Sequence, residues 1–450
     1  MSESIEYRLI LIWPKTGQIL ARVENGAATL PRLAVLSGER QVQQLTELVL
    51  REWNIRAVAL DILPGLNQSP ACAVLEVRNS DETSVAMLRA VDLYSIDRTC
   101  LSVDECNVVA SLLSDDDQHR NVFGRIGWVN QVELWLSEIG RSREVVFIDD
   151  IHQLNAGGGF VLARLSTTDG NEYWLKAVGA PNEHEFGITK AIAERMPNYL
   201  PPVVAMRDDW KAWITEDSGR TLSESFELPA MRIAVTALAR LQRDSVEHRG
   251  ALRDAGCADC STPVLEAHLP DITTYLEEAM SNQTSTKVAT LEARRIRELE
   301  QILREACWRM QDLDIPDTLI HNDINAGNIL VSGPRCFFID WAEGLIGNSF
   351  MTFQHICAQI ERDGTDAAAW LQEVRSSYRT VWLETLTETQ INTAYTLMPI
   401  LGPLSYLYGN GAWLNSTDRD RPRFQAHVRS LLRYIDRAAQ ALELEGAISH

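Results

Sequence analysis

The stretch TLIHNDINAGNILVSGPRCFFIDWAEG, residues 318–344, decides the reading of this chain. It holds three short apolar runs, TLI, NILV and CFFI. Ser332-Gly333-Pro334-Arg335, a strong turn signal, separates the last two. The spacing predicts a hairpin of 328–331 with 336–339. Counting outward from Gly333-Pro334 sets Asn328 almost opposite Ile339 and next to Asp340. An amide oxygen and a carboxylate therefore meet at one end of a two-stranded ribbon, with Asp323 in the loop leading into it. Such oxygen ligands suit a hard cation such as Mg²⁺, which takes few protein ligands and completes its shell with water and phosphate.

These residues resemble the catalytic segment of the kinase-like phosphotransferases, in particular the aminoglycoside phosphotransferase/choline kinase family. The pattern His-x-Asp-x4-Asn, a hairpin, then Ile-Asp-Trp is matched by His321, Asp323, Asn328 and Ile339-Asp340-Trp341. The resemblance implies that Asp323 accepts the proton of a substrate hydroxyl and that Asn328 and Asp340 hold Mg²⁺ against the phosphates of ATP. His321 is expected to brace the catalytic loop.

The resemblance makes further demands upstream. A strand lysine must reach the α/β-phosphates, positioned by a helix glutamate. The chain has five lysines, at 15, 176, 190, 211 and 287. Lys176 lies in EYWLKAV and shares a strand face with Trp174 and Val178. A charge on such a face is costly unless paired. The resemblance points to Glu185 as the partner, with Glu183 as the neighbouring alternative. Ahead of that strand, Asn155-Ala156-Gly157-Gly158-Gly159-Phe160 has the glycines that a phosphate-covering turn requires, although an ordinary flexible turn reads equally well. WITEDSG (213–219) resembles the hinge between lobes, where the backbone around Glu216 and Asp217 would meet the adenine. Departures from the family pattern are Asn322 for glycine, Ala326 for proline, and GNSFMT (347–352), where Asn348 and Thr352 replace two expected carboxylates.

The resemblance covers most of 146–450, which leaves an N-terminal part of another kind. There RLILIW and GQILARV read as paired strands, 41–53 as an amphipathic helix, and IRAVALDIL and ACAVLEVRN as further strands. LPRLAVLSGERQVQQLTELVLREWNI resembles a Nudix domain. The family's metal-binding helix is degenerate, with Glu47 and Leu48 in place of Arg-Glu, Arg51 for a glutamate and Asn54 for a glycine. That resemblance implies a structural or sensing relative that does not hydrolyse. The expected fold class is α+β: a two-lobed protein-kinase-like fold, with a small β-rich N-lobe and a mostly helical C-lobe, preceded by a separate α+β domain. The boundaries fall at 1–145 for that domain, 146–220 for N-lobe and hinge, and 221–450 for the C-lobe.

Composition agrees with a globular protein of this kind. The 450 residues are 45% hydrophobic and 23% charged, with a net charge of −20 spread over both parts. The acidity argues against a generic nucleic-acid or anionic-membrane binder and leaves Lys176 and Mg²⁺ to hold a polyanionic nucleotide. The eight cysteines show no disulfide framework, and Cys257-Ala-Asp-Cys260 reads as an incidental surface loop because zinc would need a second pair. The N-terminus has acids where a signal peptide needs bases, and no run is long enough to span a bilayer, so a cytoplasmic setting is expected. In the helix 293–310, Ile296, Leu299, Leu303 and Ala306 form one stripe. Tyr406, Tyr408 and Trp413 read as core rather than as substrate contacts. The expected function is ATP-dependent transfer of the γ-phosphate to a hydroxyl of a small molecule. A kinase-shaped nucleotide sensor without turnover is the alternative.

Overall fold

The computed structural model describes residues 4–37, 40–65, 70–78, 88–114, 121–148, 151–157, 159–363, 366–409 and 417–444. They form two compact units, Met1–Phe186 with Pro202–Asp217, and Gly187–Pro201 with Ser218–His450.

The first unit contains two sheets. Its N-terminal sheet is built from β1 (Ser4–Trp13), β2 (Gln18–Glu24), β3 (Ala27–Thr29), β4 (Arg32–Leu36), β5 (Ala57–Leu63), β6 (Ala71–Val77) and β7 (Arg89–Val91). The order is β3-β2-β1-β6-β5, with β4 also on β1 and β7 also on β2. Helices α1 (Gln41–Trp53), α2 (Val103–Ser114) and α3 (Trp128–Arg143) complete this part. Side chains alternate across β1, so each of its faces feeds a different core. Leu9, Leu11 and Trp13 pack with Val42, Leu45, Val49 and Trp53 of α1. Ile10 and Ile12 pack with Val109 and Leu112 of α2 and with Trp128, Val132 and Trp135 of α3. Helix α1 ends at Asn54, which takes the left-handed cap at φ 55° that a glycine would otherwise supply.

The second sheet has the order β11-β12-β10-β9-β8, from β8 (His152–Asn155), β9 (Phe160–Ser166), β10 (Glu172–Val178), β11 (Val203–Arg207) and β12 (Ala212–Glu216). Helix α4 (His184–Arg195) follows β10. Val161, Ala163, Leu165, Leu175, Ala177 and Ile214 of this sheet enter the same core as Ile10 and Trp128. Trp210, between β11 and β12, packs edge-on against Trp135 at 5.7 Å and Phe123 at 5.8 Å. Sheet membership changes between β7 and β8, while one hydrophobic core runs on across that point.

The second unit is mainly helical. It contains β13 (Arg220–Thr221), α5 (Leu228–Ser245), α6 (Arg249–Asp254), β14 (Ala258–Cys260), α7 (Thr262–Ala267), α8 (Leu269–Ser281) and α9 (Ala293–Gln311). Then come β15 (Thr318–His321), β16 (Ile329–Ser332), β17 (Arg335–Phe338), β18 (Gly344–Gly347), α10 (Ser349–Asp363), α11 (Ala367–Trp382), α12 (Glu388–Gly409) and α13 (Pro422–Leu444). The stripe of α9 is buried as its spacing predicts, with Ile302, Cys307 and Met310 added. Cys257 and Cys260 correct the expectation of a surface loop. Both are buried free thiols, Cys260 lies on β14 paired with β18, and burial pushes both up to about 12. Among the described residues, no helix is long and apolar enough to cross a membrane.

Candidate active site

The stretch 318–344 folds with the hairpin that its spacing predicts. Strands β16 and β17 pair with Ile329 opposite Phe338, and the Ile339 N–H donates to Asn328 O at 3.0 Å. Asn328 and Asp340 thus sit at one end of the hairpin. Asp340 is exposed and takes φ 66°, ψ 63°, at the start of a 3₁₀ turn over Trp341–Glu343. A non-glycine residue in that region carries about 1–3 kcal/mol of strain, although Asp tolerates it better than most.

In the loop before β16, two amides hold both oxygens of Asp323. Asn325 Nδ2 donates to Oδ1 at 3.1 Å, and Asn328 Nδ2 donates to Oδ2 at 3.0 Å. Asn328 Nδ2 also donates to the Asp323 carbonyl at 2.9 Å. With its NH₂ group so used, the Asn328 carbonyl oxygen remains as a cation ligand. An amide oxygen and an exposed carboxylate are the donor set a hard cation takes, so these residues fit Mg²⁺. Asn325 is a site residue that the sequence reading missed. It lies inside the motif's variable x4 spacer, and its Oδ1 also caps the next turn through Gly327 N at 2.8 Å.

His321 is buried at the end of β15. Its Nε2 lies 2.9 Å from Ile339 O, and its ring packs on Trp341 with centroids 4.7 Å apart. It ties the strand before Asp323 to the strand before Asp340, which is a bracing arrangement.

In the other unit, β10 alternates as expected. Tyr173, Leu175 and Ala177 enter the core, and Lys176 lies on the opposite face. Lys176 Nζ is 2.6 Å from Glu185 Oε1 in the first turn of α4, so Glu185 is the partner the fold supplies. The Lys176 side chain is 15% exposed and that of Glu185 2%, and Phe160 and Trp213 flank the lysine at 5.5 and 5.8 Å. Gly157 has φ 121°, a conformation that favours glycine, and Gly159 O accepts from Gly179 N at 2.9 Å. Gly158 lies outside the described residues, as does Trp413.

With this geometry in place, comparison with known proteins is specific. Residues 187–381 match the model of the phosphotransferase enzyme family. That segment, less than half of the chain, is similar to this family. Solved structures of similar form include an ethanolamine kinase from Plasmodium vivax, at 16% identity over 75% of this chain and 97% of that one, with a TM-score of 0.43. A macrolide 2'-phosphotransferase, MphH from Brachybacterium faecium, has 12% identity over 67% and 98%, with a TM-score of 0.43. The choline kinase LicA from Streptococcus pneumoniae has 16% identity over 68% and 100%, with a TM-score of 0.39. At those scores nothing more follows from the structural likenesses. No curated protein matches the sequence.

Within the matched segment, Asn322, Asn348 and Thr352 each have a definite place in the fold. Asn322 is buried; its N–H donates to Glu343 O at 3.0 Å and its Nδ2 to Glu343 Oε2 at 3.1 Å. It fastens the Asp323 loop to the turn after Asp340. Asn348 Oδ1 accepts from Phe350 N at 3.0 Å and so caps α10, while Thr352 is buried. The N–H of Glu216 donates to Pro202 O at 2.9 Å and that of Asp217 to Glu172 O at 3.0 Å, so neither is left to donate to a base.

His355 is a further residue that the sequence reading does not single out, and Tyr406, which reads as core, is only partly buried. His355 Nδ1 is 3.3 Å from Asn322 O and Nε2 is 3.2 Å from Gly402 O, so the ring backs the residue next to Asp323. Burial lowers its pKa, and its two carbonyl neighbours oppose that only in part. Tyr406 packs against His355 at 5.5 Å; burial raises it to about 12, and the nearby Glu343 and Asp323 charges add to the rise.

Proposed function

We propose that this protein transfers the γ-phosphate of ATP, with Mg²⁺, to a hydroxyl group of a small molecule. The observation that carries the reading is the Asp323 carboxylate, fixed by two amides beside the Asn328–Asp340 hairpin end, inside a segment similar to the phosphotransferase enzyme family.

A free hydroxyl is a poor nucleophile, and a carboxylate within hydrogen-bond reach can accept its proton as the bond to phosphorus forms. The Asn325 and Asn328 amides hold Asp323 in one orientation, so little rotational freedom is lost when the acceptor arrives. His321, His355 and Asn322 hold the backbone of the same loop. Lys176, kept in place by Glu185, would take the α/β-phosphates, and the backbone at Gly157 and Gly159 would lie against them. Asn328 Oδ1 and Asp340 would hold Mg²⁺, which when bound supplies positive charge against the phosphates. The acceptor is a small molecule whose hydroxyl reaches Asp323, in surroundings that include Glu343 and the Tyr406 phenol.

The test is a pair of measurements on Asp323→Asn. Binding of MgATP by calorimetry stays within about twofold of wild type, because the residue acts on the acceptor. Phosphate transfer falls about a thousandfold. Full transfer by the variant would remove Asp323 from its assigned role.

A further inference from the structure

The N-terminal sheet of the first unit reaches the turn that is read here as covering phosphate. Strand β5 is an edge strand, the last in the order β3-β2-β1-β6-β5, and its register shifts between Ala59 and Asp61. Strand β8 is the edge of the second sheet, and its register shifts between Gln153 and Asn155. The two irregularities meet. Gln153 Oε1 accepts from Ala59 N at 2.8 Å, and Gln153 Nε2 donates to Ala59 O at 2.9 Å. A side-chain amide thus replaces the neighbouring strand that the β5 edge lacks at this point, and it is buried, at 3% exposure.

Two more contacts lead from this clamp into the turn. Ala156 packs against the core shared by β1, β6 and α1. At Gly157 a methyl group would stand 3.8 Å from Asp61 Oδ1, so an N-terminal-sheet carboxylate lies beside the turn. The turn's other end is held within its own sheet by the bond from Gly179 N to Gly159 O. Glycine-rich turns pay an entropic cost when they order around a ligand. Here one flank is fixed beforehand by a different sheet.

We infer that β5 presets the Asn155–Gly157 flank of this turn for the nucleotide phosphates, with Gln153 as the positioning residue. The inference rests on the proposed reading of that turn. It gives the N-terminal sheet a part in nucleotide affinity, whatever else that sheet binds.

Adenosine and MgATP separate the phosphate contribution from the rest of the nucleotide. Titration calorimetry of the full chain with each ligand gives a ratio of dissociation constants. In Gln153→Leu, which keeps the volume and loses both hydrogen bonds, MgATP binding weakens about tenfold while adenosine changes by less than about twofold. A general loss of structure would weaken both ligands, and that outcome overturns the inference, as does an unchanged MgATP constant. Should Gln153→Leu not fold, Gln153→Met carries the same expectation. Asp61→Asn supplies the opposite sign, tightening MgATP about two- to threefold at low ionic strength and leaving adenosine unchanged. Equal binding of MgATP by Asp61→Asn and wild type also counts against it. If the wild-type protein binds MgATP no more tightly than adenosine, the phosphate-turn reading itself has failed. If it shows the preference and the variants retain it, only the positioning role has failed.

Discussion

Lys176 and Asp340, the two charges on which the proposed reaction most depends, are built in opposite ways. Lys176 is closed in, with Glu185 at 2.6 Å, two aromatic rings beside it and little exposure. Asp340 is exposed at the end of a hairpin, in a backbone conformation that costs free energy. A lone cation on an apolar strand face needs a permanent partner to keep its charge. A metal-binding carboxylate needs room for the metal and its waters. Asp323 lies between these extremes: partly buried, with each oxygen held by a neutral amide that leaves its charge intact.

The contrast can be broken most sharply at the open end. Beyond the thousandfold loss expected of Asp323→Asn, Asp340→Ala should abolish any Mg²⁺ dependence of ATP consumption, read by titrating the metal. At the closed end, Lys176→Met should lower kcat/KM for ATP about a hundredfold. It should also cost about 2–4 kcal/mol in chemical denaturation, because Glu185 is left buried without its cation. Adding Glu185→Leu should return most of that stability and none of the activity. A double variant as unstable as the single one would show that the pair is not the unit described here.

A smaller effect lies behind Asp323. The His355 pKa is lowered in the fold, so the unfolded chain takes up the proton first as pH falls. This residue's stabilisation is complete above about pH 6.5 and declines below it, toward the lower folded value. Replacing it by Gln should flatten that decline by at most about 1.4 kcal/mol per pH unit, measured by denaturation at several pH values. Smallest is Asn348→Ala, which removes the α10 cap. It should cost about 1 kcal/mol and leave kcat unchanged, since the residue acts on the helix and not on the reacting groups.

The sequence carried the parts of the site that obey short-range rules. The Gly333-Pro334 turn fixes the hairpin register, and period two puts Lys176 opposite the core-facing residues of β10. What it concealed depends on long-range contacts or on residues of ordinary appearance. Asn325 stands inside a variable spacer, and His355 is one of several polar residues along α10, with no motif around it to single it out. The Gln153–Ala59 clamp joins positions 94 apart. Cys257 and Cys260 have the look of a loop, yet β14 is drawn into the core by pairing with β18. Sheet membership changes between β7 and β8, but α3 and Trp210 carry one core across that point.

The central claim is ATP-dependent transfer to a small hydroxylated molecule, and an acceptor screen tests it most directly. Purified protein with MgATP is offered amino-sugars, sugars, amino-alcohols and nucleosides, and acceptor-dependent ATP consumption is recorded beside the Asp340→Ala variant. At least one class should stimulate consumption by the wild type and yield a phosphorylated acceptor, with no stimulation in the variant. Tight MgATP binding with no turnover on any class, or equal turnover by both proteins, would contradict the account.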